Sequence, residues 1–107
     1  MRIVRTALFE RAIKKLGASA AEILALETML ATDPERGDVI PGLEGARKLR
    51  FAMGGKGKRG GGRAIYVVVY RVDSVYLLTA YSKSRKSDLT EDDKRVLKPL
   101  IKDIRNG

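Results

Sequence analysis

At 107 residues the chain is sized for a single hydrophobic core, and one domain over residues 1–107 is expected. It contains neither cysteine nor histidine, which excludes disulfides, most zinc sites and the usual nucleophile–base pairs together. The net charge is +9, and with no bilayer-length apolar run and no signal-peptide pattern the chain reads as a cytoplasmic protein without a membrane partner.

Arg2-Ile3-Val4-Arg5 fits a short strand. After Thr6, the apolar positions Phe9, Ala12, Ile13 and Leu16 recur at helical spacing, and Gly17 is a helix stop. Ser19 and Glu22 form a capping box that starts a second helix, with Ile23, Leu26 and Leu30 as its stripe. That helix ends near Thr32, because Pro34 disfavours helical geometry at Asp33. The two helices read as a hairpin. Residues 38–42 look like a loop, and Arg47 to Met53 alternates as a strand does. Lys48, Arg50 and Ala52 then share one face, and Arg47, Leu49, Phe51 and Met53 the other. A glycine-rich basic segment, residues 54–62, separates this strand from two apolar runs, 63–70 and 75–81. The short polar link 71–74 makes those runs an antiparallel hairpin, placed centrally with helices on one face. Thr90 caps a last helix, with Glu91, Asp92 and Asp93 in its first turn and Val96, Leu97, Leu100, Ile101 and Ile104 on one side. The expected fold is α+β: a small antiparallel sheet of about four strands, an N-terminal helical hairpin and a C-terminal helix.

The charge is unevenly placed. Residues 1–46 hold six Lys/Arg against seven Asp/Glu, whereas residues 47–107 hold sixteen against six. Residues 47–63 alone carry Arg47, Lys48, Arg50, Lys56, Lys58, Arg59 and Arg63 with no acid among them. Such crowding is relieved by an anionic partner, and the glycines let a backbone approach a phosphodiester chain. A solvated loop is the plainer alternative. The segment lacks the Gly-x-x-x-x-Gly-Lys-Ser/Thr pattern and precedes a strand, so it is no nucleotide P-loop. No paired carboxylates suggest a metal-dependent nuclease, since Asp92 and Asp93 are explained by helix capping; neither metal nor cofactor is expected. Tyr81 stands at a strand end beside Lys83, Arg85 and Lys86, where its ring fits base stacking or strand-end packing.

Three segments together carry a specific resemblance. Gly42-Leu43-Glu44-Gly45-Ala46-Arg47-Lys48-Leu49-Arg50, the run Gly55-Lys56-Gly57-Lys58-Arg59-Gly60-Gly61 leading to Arg63-Ala64-Ile65-Tyr66, and Tyr81-Ser82-Lys83 with Ser87-Asp88-Leu89 resemble the HigB branch of the RelE superfamily of toxins. The resemblance implies a RelE-like microbial RNase fold that cuts mRNA in the ribosomal A site without metal, by attack of the ribose 2′-hydroxyl on the adjacent phosphate. It implies a cognate antitoxin of helix-turn-helix or acidic type, with operator DNA bound only through the antitoxin complex. Residue by residue, it implies catalytic roles for Lys56, Lys58, Arg63 and Lys83 (or Arg85), while the clustering of charge itself points to Arg47, Lys48, Arg50, Arg59, Arg85 and Lys86 as RNA contacts. Arginine does not deprotonate, so Arg63 suits charge stabilisation, whereas a lysine crowded by cations can serve as a base. The chain departs from RelE in having no tyrosine after Ser87; Tyr81 substitutes for it or the role is vacant. Two other readings stand beside this one: a non-catalytic RNA- or ribosome-binding module, and a DNA-binding co-repressor without nuclease activity.

Overall fold

The computed structural model describes residues 1–54 and 61–107. Within them the order is β1 (Arg2–Arg5), α1 (Ala7–Leu16), α2 (Ala20–Thr32), β2 (Asp38–Val39), β3 (Arg47–Phe51), β4 (Gly62–Val69), a 3-10 turn (Tyr70–Val72), β5 (Ser74–Ser82) and α3 (Glu91–Asn106). The strands form one sheet in the order β1-β5-β4-β3-β2.

The helix boundaries follow from local chemistry. Thr6 accepts from the Phe9 N–H at the start of α1, and Gly17, at φ +75°, ends it in the left-handed conformation. Ser19 and Glu22 bond reciprocally at the start of α2, and Thr90 and Asp93 do the same for α3.

The sheet departs from expectation in two respects. It has five strands rather than about four, because Asp38–Val39 adds a two-residue strand in the span that reads as a loop. Two residues are too few for alternation to register. The sheet is also mixed: β1 lies parallel to β5, with Arg2 opposite Ser74 and Arg5 opposite Leu77. A parallel neighbour requires a crossover, and the helical hairpin begins it.

Helices cover both faces, not one. Phe9, Ile13, Ile23, Leu26 and Leu30 of the hairpin pack on Leu49, Phe51, Ala64, Tyr66, Val68, Val75 and Leu77. On the opposite face, Leu97 and Ile101 of α3 pack on Ile65, Val67, Val69, Leu78 and Tyr81. This is why β4 is apolar almost throughout: successive side chains alternate between two cores. Val96, expected on the packed side of α3, is 59% exposed, since the contact stripe runs through Leu97 and Ile101. At the far end of α3, Arg105 Nε donates to the Glu44 carbonyl, and Arg71 donates to the carbonyls of Ile104 and Arg105. The two Arg71 bonds satisfy carbonyls that the helix end leaves without intrahelical partners. No helix among the described residues is long and apolar enough to cross a membrane.

The tyrosines divide by position. Tyr66 is fully buried, donating to the Pro34 carbonyl at 2.7 Å and accepting from the Gly37 N–H at 2.9 Å. Gly37 must be glycine here, because a Cβ would lie 2.8 Å from the Lys48 carbonyl and 2.9 Å from the Tyr66 hydroxyl. The loop after α2 is thereby pinned against β3 and β4, which carries Arg36 and Asp38 to the sheet edge. Tyr70 is exposed, and its hydroxyl bonds to Glu35.

Candidate functional site

Alternation along β3 sorts its cations by face. Arg47 points to the hairpin side, where its Nη1 donates to the carbonyls of Glu35 and Gly37 at 3.1 and 2.8 Å. Lys48 pairs in register with Asp38 of β2 on one side and Ile65 of β4 on the other. Arg50 stands directly opposite Arg63, and Arg63 in turn opposite Tyr81 of β5. Beyond β5, the Lys83 N–H donates to the Gly61 carbonyl at 2.9 Å, so the next segment stays against the start of β4. Gly62 opens β4 as glycine because the Phe51 ring lies across it; a Cβ would come within 2.5 Å of that ring.

The outcome is an open cleft of about 400 Å³ lined by Arg36, Asp38, Lys48, Leu49, Arg50, Arg63 and Lys83. Five of these seven residues are cationic and one is acidic. Like charges placed directly across a strand pair, as Arg50 and Arg63 are, repel each other. A cleft so lined favours an anion, and planar guanidinium groups suit the paired oxygens of a phosphate.

One carboxylate organises the cleft from its edge. Asp88 Oδ1 accepts from Lys48 Nζ at 3.1 Å, the Tyr81 hydroxyl at 3.3 Å and the Leu89 N–H at 2.8 Å. The Leu89 N–H, then Lys48, hold its carboxyl below the usual carboxylate range. Burial, and then the negative charge of Asp88, push the Tyr81 hydroxyl up to about 12. Tyr81 therefore keeps its proton at neutral pH and acts as a donor, not as a base. Its ring is buried against the α3 core, with Lys86 Nζ at 5.4 Å from the centroid. Lys86 also pairs with Asp93 at 2.6 Å. Burial favours the neutral form of Asp93, but Lys86 and the Thr90 hydrogen bonds outweigh it and lower the pKa.

Of the residues singled out in the sequence, the fold gathers Lys48, Arg50, Arg63 and Lys83 into the cleft. Arg47 is on the other face, and Arg85 and Lys86 line a hollow against Lys15 and Leu16 of α1. Tyr81 lies beside Arg63 in register, with its hydroxyl turned to Asp88. Lys56, Lys58 and Arg59 lie outside the described residues. Sequence reasoning missed Arg36, Asp38 and the bridging role of Asp88. Arg36-Gly37-Asp38 carries ordinary turn composition, and only the pairing of β2 with β3 brings it to the cleft. Among the described residues, no three acidic side chains gather into a group able to hold a metal ion.

Among solved structures, the chain is similar in fold to a free-state variant of the E. coli toxin RelE in which two arginines are replaced by alanine. The identity is 13%, the TM-score is 0.55, and the match covers 94% of this chain and 95% of that one. The family model described as the RelE toxin of the RelE/RelB toxin–antitoxin system matches residues 1–106. The chain belongs to the RelE family of toxins.

Proposed function

We propose that this toxin is an endoribonuclease that cuts mRNA on the ribosome in the cytoplasm and is held in check by a cognate antitoxin. The observation that carries this reading is the cleft itself, with Arg36, Lys48, Arg50, Arg63 and Lys83 converging on a space the size of one nucleotide. Such a site binds the phosphate where cleavage occurs but offers little surface to orient free RNA. The ribosome supplies that orientation. In the reaction, the ribose O2′ attacks the adjacent phosphorus and the bond to O5′ breaks, leaving a 2′,3′-cyclic phosphate and a 5′-hydroxyl. Negative charge grows on the phosphorane, and Arg63 on the central strand β4 suits its stabilisation. Lys83 stands at the same end of the sheet, and Arg36, Lys48 and Arg50 suit the flanking phosphates. The resemblance adds Lys56 and Lys58 to this group. Arg59 remains a proposed RNA contact, as do Arg85 and Lys86 outside the cleft lining, and Arg47 is proposed for support of the sheet edge. With a cationic lining and no three-acid group among the described residues, we assign the chemistry to side chains without metal.

The test compares one mRNA, programmed on ribosomes or naked, after addition of the purified chain. Codon-phased cuts with 5′-hydroxyl ends are expected only on ribosomes. Efficient cutting of naked RNA would overturn ribosome dependence. Salt-sensitive binding without any cut would favour the non-catalytic RNA-binding module.

A further inference from the structure

The geometry points to Asp38 as the general base that takes the proton from the ribose 2′-hydroxyl, an assignment that rests on the nuclease reading above. Two carboxylates lie at the cleft, and their situations are opposite. Asp88 has one oxygen engaged three times, by Lys48, Tyr81 and Leu89. Asp38 is exposed and lines the cleft, and its carboxylate makes no hydrogen bond or ion pair among the described residues. It is the acid of the lining, surrounded by Arg36 of its own segment, Lys48 in direct register, Arg50, Arg63 and Lys83. Residues 55–60 contribute no further acid, being glycine, lysine and arginine only.

The physical contrast with lysine decides the role. A carboxylate is ionised at neutral pH and ready to accept a proton, whereas an ammonium must first lose one. Asp38 on the edge strand and Arg63 two strands inward both line the cleft. A ribose 2′-hydroxyl can then face the carboxylate while its 3′-phosphate faces the guanidinium. The Asp38 carboxylate takes the 2′-hydroxyl proton, O2′ bonds to phosphorus, and the phosphorus–O5′ bond breaks. The departing O5′ takes a proton from the Lys83 ammonium, which in the free chain donates to the Ser87 carbonyl. Exchange with water then restores both side chains.

Single-turnover cleavage on programmed ribosomes, measured across pH 5.5 to 8.5 with saturating amounts of folded chain, tests this. Asp38→Asn should cut on the order of 10²- to 10⁴-fold more slowly than wild type. It should still bind ribosomes carrying a 2′-deoxy codon, which cannot be cut, at least as tightly as wild type does. Asp38→His supplies a base that titrates near pH 6.5. It should recover part of the rate, rising about tenfold per pH unit below that point and levelling above it. Cutting by Asp38→Asn within a few-fold of wild type would overturn the assignment and leave the nuclease reading standing. An Asp38→His variant as slow as Asp38→Asn, with a flat pH profile, would also overturn it, because the carboxylate would then act otherwise than by proton transfer. If the wild-type chain cuts nothing, the nuclease reading fails and the base assignment falls with it.

Discussion

The two faces of the sheet are built from the same strands and do different work. On the hairpin face, polar groups are used up internally: the Tyr66 hydroxyl bonds to Pro34 and Gly37, and Arg47 is held by the carbonyls of Glu35 and Gly37. On the other face, α3 covers the sheet as far as Tyr81, and beyond it cations line an open cleft. Arg47 and Lys48 are neighbours in sequence with the same charge sign, yet one braces a loop and the other lines the cleft. Strand alternation, not composition, separates a cation that braces a loop from one that lines the cleft.

The largest expected effect probes the open face. Arg63→Ala should slow single-turnover cleavage on ribosomes by on the order of 10² to 10³, about 3–4 kcal/mol in barrier. Its melting temperature should stay near wild type. Arg63→Lys should restore little, since an ammonium does not reproduce a two-pronged contact with phosphate oxygens. A wild-type rate in Arg63→Ala would remove the distinction drawn between the faces.

Tyr66→Phe tests the closed face. It leaves the buried Gly37 N–H without its acceptor and the Pro34 carbonyl without its donor. The expected loss is about 1–3 kcal/mol of stability in urea unfolding. Cleavage by the molecules that remain folded should change far less than with Arg63→Ala.

The sharpest version of the comparison is the pair of adjacent substitutions. Arg47→Met should cost roughly 1 kcal/mol of stability through its lost hydrogen bonds and leave the salt dependence of ribosome binding unaltered. Lys48→Met should do the reverse. Its exposed pair with Asp88 contributes little to stability, whereas the slope of log K against log salt should flatten by about one unit. Equal effects from both would mean that face does not decide role.

The smallest effect is on pH dependence. Asp93 has a lowered pKa in the folded chain, so its contribution is complete above the unfolded carboxylate value of about 4. That contribution fades as pH falls through the lower folded value. Asp93→Asn should therefore be less stable than wild type at neutral pH, by roughly a few tenths of a kcal/mol given the exposure of the pair. The difference should close on acidification, and a gap that widens in acid would contradict the role given to Lys86.

Much of the architecture was legible in residue order because the forces involved are local. Thr6 with Gly17, Ser19 with Glu22, and Thr90 with Asp93 mark helix ends through bonds spanning a turn or less, and each sits where expected. The alternation from Arg47 to Met53 set Lys48 and Arg50 on one face for the same reason. The charge imbalance and the basic segments marked Arg63 and Lys83, which the fold brings into one cleft. What residue order left open is whatever depends on which strand lies beside which. The direction of β1, the addition of Asp38–Val39 and the second covered face are decided by packing between segments far apart in the chain. So is the contrast in surroundings between Asp38 and Asp88, 50 residues apart in the sequence. Both meet Lys48, Asp38 as its register partner and Asp88 through its side chain, and only tertiary contact leaves one carboxylate bonded to Lys48 and Tyr81 and the other open to the cleft.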